Sequence, residues 1–140
     1  MKVRDVMHKG VVSIEPDATL AAVAAKMREH DIGCVPVCEK IGKPLGMITD
    51  RDITLRAFAS GKDVAKLAAK DVMTPDLVYC QASEEAEDAM RIMESKQIRR
   101  LPVLDESNKL VGMLALGDIS SAMAQGLTGE VTKAVSAHHA

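Results

Sequence analysis

Aromatic residues are nearly missing: there is no tryptophan, one phenylalanine (Phe58) and one tyrosine (Tyr79). A flat ligand must therefore be gripped mainly by aliphatic side chains, and the stacking platforms that hold single-stranded nucleic acid are absent. An excess of one charge is missing too. Eighteen Lys and Arg stand against 20 Asp and Glu, for a formal charge of -2, so no basic field recruits nucleic acid. No apolar run approaches the roughly 20 residues needed to cross a bilayer. Met1-Lys2-Val3-Arg4-Asp5 lacks the apolar segment of a signal peptide. Neither a nucleic-acid nor a membrane partner is expected, and a cytoplasmic location is.

Cysteine is scarce and odd in number. Cys34, Cys38 and Cys80 sit in strand-like apolar runs. Cys34 and Cys38 have a spacing that some metal sites use, but Cys80 is distant and no histidine lies at ligand spacing, so we read reduced core thiols and no metal site. None of His8, His30, His138 and His139 is linked by spacing to a serine or cysteine nucleophile. There is no phosphate-gripping lysine loop and no dinucleotide fingerprint. These gaps exclude an enzyme and a catalytic cofactor. What remains is an apolar content of 47%, enough for a folded core in one domain or in two small units that share one.

The organisation is a duplication. A shift of 66 positions aligns Arg4–Ile53 with Lys70–Ile119 without a gap. Asp5-Val6-Met7 falls on Asp71-Val72-Met73, Pro36-Val37 on Pro102-Val103, Gly46-Met47 on Gly112-Met113, and Asp52-Ile53 on Asp118-Ile119. In each copy a β-rich run (Val11–Ile14, Leu77–Cys80) precedes a helix with Asp17 or Ser83 as expected N-cap. Leu20, Val23, Ala24 and Met27, like Ala86, Ala89, Met90 and Met93, have the spacing of one apolar helical face. A strand containing proline follows (Cys34–Cys38, Arg100–Leu104), which the proline assigns to an edge or to a strand start. A third strand (Leu45–Ile48, Leu110–Leu114) and a last helix (Asp50–Ala59, Gly117–Gln125) close the unit. The fold class is α/β (α+β): two tandem β-α-β-β-α repeats packed about a pseudo-twofold axis. The expected boundaries are repeat 1 at 1–61, a linker at 62–69, repeat 2 at 70–126 and a tail at 127–140. The linker could add a short helix, the tail is expected to start as one, and His138-His139 to be its frayed end.

Gly46-Met47-Ile48-Thr49-Asp50-Arg51-Asp52 runs from strand straight into helix, where unsatisfied N–H groups attract anions. Thr49 adds a hydroxyl, Arg51 a fixed cation, and Asp52 a carboxylate that can accept from two adjacent hydroxyls. A phosphate beside a ribose fits this chemistry. In the second copy, Gly112–Asp118, the glycine and aspartate recur, but Ala115 and Gly117 replace the threonine and arginine. The bland alternative is that Thr49-x-x-Asp52 is only a capping box, and that Arg99 and Arg100 are a solvated pair.

The repeated Asp-Val-Met, apolar-Pro-Val strand and Gly-x-x-Thr-x-x-Asp turn resemble the tandem cystathionine-β-synthase-type (CBS) domain pair of stand-alone bacterial proteins. The resemblance spans Val3 to about Gln125 and rests on the duplication more than on any one motif. It implies a regulatory sensor binding AMP, ADP, ATP, S-adenosylmethionine or NAD-type ligands in a cleft between copies, and a disc-like homodimer acting on an effector protein. It further implies two unequal sites. In one, Asp52 takes the ribose, Thr49 and Arg51 the phosphate, with Ile98, Arg99, Arg100 and Leu77 facing them from the second copy; three guanidiniums there suit forked phosphate recognition. In the other, Asp118 meets Val11, Ile32, Gly33 and Cys34, with no facing cation, and is expected to be empty or to hold a neutral adenosine moiety. The competing expectation is a ligand-independent oligomerising adaptor.

Overall fold

The computed structural model describes residues 1–10 and 12–126. In chain order the elements begin with α1 (Val3–Val6), β1 (His8–Lys9), α2 (Leu20–His30), β2 (Cys34–Cys38) and β3 (Pro44–Thr49). A short turn of helix, α3 (Asp50–Asp52), continues as a π turn over Ile53–Ala57 and a 3-10 turn over Phe58–Ser60. After a second 3-10 turn at Val64–Lys66 come α4 (Ala69–Val72), β4 (Thr74–Pro75) and β5 (Cys80–Gln81). The chain then forms α5 (Ala86–Lys96), β6 (Arg100–Leu104), β7 (Leu110–Ala115) and α6 (Leu116–Gly126). This is a mixed α+β fold, as expected.

The compact units and the sequence repeats do not coincide. One unit is Val12–Leu77; the other joins the residues before Val12 to those from Val78 on. In the first, antiparallel β2-β3-β4 packs against Leu20, Val23 and Met27 of α2, with Ile53, Ala57 and Ala69 closing the core. In the second, the order is β1-β7-β6-β5, and Ala86, Ala89 and Met93 of α5 join Val3, Val6, Leu101, Leu114 and Ile119. Segment α1-β1 is thus exchanged: it opens the first repeat in sequence but completes the sheet of the second. Segment α4-β4, its counterpart, completes the sheet of the first. The linker and repeat boundaries read from the sequence describe the duplication, whereas the compact units are cut at 11/12 and 77/78.

Glycine makes the exchange possible. Gly46 lies opposite Pro75, and Gly112 opposite Lys9. A Cβ at Gly46 would stand 2.4 Å from the Thr74 carbonyl oxygen, and one at Gly112 2.6 Å from that of His8. The Gly-Met dipeptide of each repeat is a slot for the other repeat's leading segment. Lys2 adds an ion pair from its Nζ to Glu85 at 2.8 Å, and that contact holds the Glu85 carboxyl below its usual range.

Several local expectations are corrected. Thr19, not Asp17, caps α2, its Oγ1 accepting from Ala22 N at 3.1 Å; Asp17 instead accepts from Lys70 Nζ at 2.8 Å. Glu85, not Ser83, stands at the N-cap of α5 and makes no side-chain cap bond, being engaged by Lys2. The β-rich runs shrink to β5 and to a single parallel bridge between Ile14 and Val37. Pro36 lies on an edge strand, but Pro102 lies on β6, between β7 and β5. Parallel pairing to β5 involves only Val103 and Leu104, so the ring displaces no ladder bond. The linker does add a helical turn, Val64–Lys66. The tail and His138-His139 lie outside the described residues.

The last helix of the first repeat is irregular for a reason visible in its twin. In α6, Ile119 and Ala122 are buried at a spacing of three; in the first repeat Ile53 and Ala57 are buried at a spacing of four. Regular α-helix would bring Arg56 to the core position that Ala122 fills at 1% exposure. Burying an unpaired guanidinium is costly. The wider π turn instead rotates Ala57 inward and leaves Arg56 outside.

Cys38 and Cys80 are buried, and burial pushes their thiols up to about 11 and about 12 from a usual 9.0. An unfolded chain releases these protons from about pH 9, the folded chain later. Their contribution is therefore complete below pH 9 and is lost as pH rises from there towards 11 to 12. The melting temperature is expected to fall above pH 9 more steeply than in a Cys38→Ala/Cys80→Ala variant, measured by calorimetry across pH. Equal slopes would remove the thiols from the balance. Separately, Gly112→Ala should destabilise the protein by about 1–3 kcal/mol through overpacking, with hydrogen exchange accelerated at His8 and Lys9. Gly46→Ala should do the same at Thr74 and at Gln81 least of all, since β5 lies in the other sheet.

Candidate functional site

Each repeat ends its third strand and starts its last helix without an intervening loop, so backbone donors at the helix start sit at the rim of a sheet. In the first repeat Thr49 is extended, and a reciprocal capping box forms. Thr49 Oγ1 accepts from Asp52 N at 3.0 Å, and Asp52 Oδ2 accepts from Thr49 N at 3.0 Å. The bland alternative is thus realised as local structure. It engages one carboxylate oxygen of Asp52; the other, Oδ1, lies 3.6 Å from Arg56 Nε. The Asp52 side chain is only 13% exposed, so its geometry is held before any ligand arrives.

The segment before the proline strand lies against this corner. Asp50 N donates to the Gly33 carbonyl at 2.9 Å, and Cys34 pairs with Thr49 across the sheet. A Cβ at Gly33 would come within 3.0 Å of Asp50 Oδ2. Arg51 N donates to Asp50 Oδ1 at 2.8 Å, and the Arg51 residue is exposed. The second repeat builds the same corner: Leu116 N donates to the Arg99 carbonyl at 2.8 Å, and Arg100 pairs with Ala115. Its aspartate differs in setting. Asp118 is 3% exposed, the one buried charged side chain among the described residues.

Within the Val12–Leu77 unit the structure therefore brings together Thr49, Arg51 and Asp52 with Ile32, Gly33 and Cys34; half-buried Leu77 ends that unit. Within the other unit it brings Ile98, Arg99 and Arg100 alongside Ala115–Asp118. Both arginines are exposed and Ile98 is half-buried. The expected sites each draw residues from both units, and Val11 lies outside the described residues. The Asp118 corner also has cations beside it in its own unit, which a reading confined to facing copies leaves out. The two corners carry opposite chemistry: Gly33 and Asp50 in one stand where Arg99 and Leu116 stand in the other.

Two residues escaped the sequence reading. Asp50 lies beside Gly33, and Arg56 joins Asp52 to the Met73 carbonyl, which accepts from its Nη1 at 3.2 Å. The signal for Arg56 was available: it is a charge where the duplicate has Ala122. Tyr79 is exposed. Among the described residues no group of three or more His, Cys, Asp and Glu could hold a metal ion, and no helix is long and apolar enough to cross a membrane.

A family model described as the CBS domain matches residues 3–57 and again residues 69–125. The chain is similar to the CBS domain-containing protein YhcV of Bacillus subtilis, with 42% identity over 118 residues, 84% of this chain and 82% of that protein. It is similar in structure to Hypoxic Response Protein I of Mycobacterium tuberculosis, crystallised with two coordinated zinc ions. That match has a TM-score of 0.78 and 37% identity, covering 86% of this chain and 97% of the other. CBSX2 of Arabidopsis thaliana, crystallised in complex with AMP, matches with a TM-score of 0.77 and 25% identity over 90% of this chain and 98% of that one.

Thr49→Ala removes one half of the capping box and should cost about 1 kcal/mol of stability, read from urea unfolding. A loss indistinguishable from zero would mean that Asp52 and the backbone hold the corner without the hydroxyl.

Proposed function

The chain belongs to the CBS-domain family, with two such domains in tandem, and from that premise we propose that it is a non-catalytic regulatory module binding an adenosine-containing nucleotide of the AMP, ADP or ATP type. The observation that carries this reading is the pre-formed corner at Thr49–Asp52. A nearly buried carboxylate is held at the first turn of a helix, with one oxygen committed to the cap. A ribose offers two adjacent hydroxyl donors, which match the acceptors such a carboxylate retains. The complex of CBSX2 with AMP supports the ligand class.

In this reading Asp52 accepts from the ribose, Thr49 and Arg51 meet the phosphate, and Arg99 and Arg100 supply the further cations that the family resemblance assigns to the same ligand. Leu77 and Ile98 provide the aliphatic contacts for the base, as a chain poor in aromatics requires. Asp118, with Val11, Ile32 and Cys34, serves a second position that takes a neutral adenosine moiety or none. One phosphate-binding site per chain is the result. A cytoplasmic homodimer that passes ligand state to an effector protein is the setting in which such a module would act.

A thermal-shift panel of AMP, ADP, ATP and S-adenosylmethionine tests the reading. A ligand at 100 times its Kd should stabilise the wild type by about 2.7 kcal/mol. The shift should vanish in Asp52→Ala, persist in Asp118→Ala, and weaken for AMP in an Arg99→Ala/Arg100→Ala variant. Unchanged melting with every ligand would overturn the proposal, and retained AMP affinity in the double-arginine variant would remove that pair from the site.

A further inference from the structure

Arg56 holds two partners at once. Its Nε stands 3.6 Å from Asp52 Oδ1, and its Nη1 donates to the Met73 carbonyl at 3.2 Å. Met73 is the junction of α4 and β4: its N–H donates to Ala69 at 2.9 Å, and the next residue, Thr74, pairs with Met47. The guanidinium therefore connects the proposed ribose carboxylate to the segment that completes this unit's sheet and then leads the chain on to the other unit.

The π turn leaves Arg56 at the surface, where its i,i+4 spacing sets it beside Asp52. The equivalent residue of the second repeat, Ala122, is buried in a regular helix, so the duplicate has no counterpart of this link. In the first repeat the added residue of the π turn presents Arg56 on the surface, 52% exposed, where it reaches both oxygens.

Resting on the reading of Asp52 as the ribose acceptor, we propose that Arg56 competes with the ribose for Asp52 and, once displaced, releases the Met73 carbonyl. The free acceptor positions bring the two onto one oxygen, where they crowd each other. Asp52 Oδ2 already accepts from Thr49 N, so a vicinal diol must place at least one hydroxyl on Oδ1, the oxygen that Arg56 faces. At 3.6 Å that pair is longer than a hydrogen bond, and a hydroxyl in direct contact replaces it. Occupancy of the corner is then transmitted to Ala69–Pro75 through one side chain. The coupling is confined to the Asp52 corner, because the second repeat carries alanine at the corresponding position.

The test is calorimetric titration of the full chain with adenosine and with AMP, for wild type, Arg56→Gln, Arg56→Lys and Asp52→Asn, together with hydrogen exchange. Glutamine is polar and stays out of the core, so it preserves the turn while removing the charge. Arg56→Gln is expected to bind both ligands about threefold more tightly, the scale of an exposed ion pair, and Arg56→Lys to lie nearer wild type. Amides of residues 69–74 should exchange faster in wild type when adenosine is added, and in Arg56→Gln should already be fast without it. Unchanged or weaker adenosine binding in Arg56→Gln would overturn the competition. A loss confined to AMP would overturn it too, making Arg56 a phosphate ligand. Exchange at 69–74 that ignores adenosine in wild type would overturn the transmission. The reading of Asp52 fails separately, and this inference with it, if Asp52→Asn binds adenosine as wild type does.

Discussion

Two backbone contacts with no room for a methyl group set the architecture. Gly46 lies under the carbonyl of Thr74 and Gly112 under that of His8, and every other feature of each unit is arranged around a strand that has come that close. A short segment such as β1 or β4, two residues long, cannot hold its place by ladder bonds alone. It stays because the preceding turn buries apolar side chains, Val3 and Val6 in one unit and Ala69 and Val72 in the other. The approach of backbone to glycine and the burial of the helical turn are one device, used twice.

That device also fixes the candidate site. Gly46 and Gly112 lie on the strands whose far ends open α3 and α6, so the strand is anchored three residues before the corner begins. The corner is then closed by a hydrogen bond from the first helical amide to the carbonyl before the proline strand, Asp50 to Gly33 and Leu116 to Arg99. The scaffold is the same in both repeats, and the side chains hung on it are not. Thr49 and Asp52 cap each other in one; in the other, with alanine at 115, Asp118 is buried at the helix start. The two repeats differ in charge and hydroxyl groups on one shared backbone geometry.

The irregular helix after Asp52 shows how one residue alters a duplicated element. An arginine at the position of Ala122 could not be buried, and the chain accommodates it by widening a turn and advancing Ala57 into the core. Read from the duplicate, Arg56 would lie in the interior like Ala122 and Ala57 at the surface like Met123. The conflict is legible only when the two repeats are laid side by side, and its resolution needs coordinates.

Periodicity and duplication in the sequence were sufficient for the mixed α+β class, for the three long helices α2, α5 and α6, for the proline strands Cys34–Cys38 and Arg100–Leu104 to the residue, and for the glycine and aspartate that bound each corner. These follow from local pattern, since apolar spacing and strand-to-helix chemistry are written within a few residues. The caps were misassigned because Asp17 and Glu85 answer to Lys70 and Lys2, partners remote in sequence. Tertiary structure alone decided which leading segment completes which sheet. Asp5-Val6-Met7 and Asp71-Val72-Met73 are identical in sequence, so either could fill either glycine slot, and nothing local distinguishes the pairing within a repeat from the exchange between them. Only the path of the whole chain does.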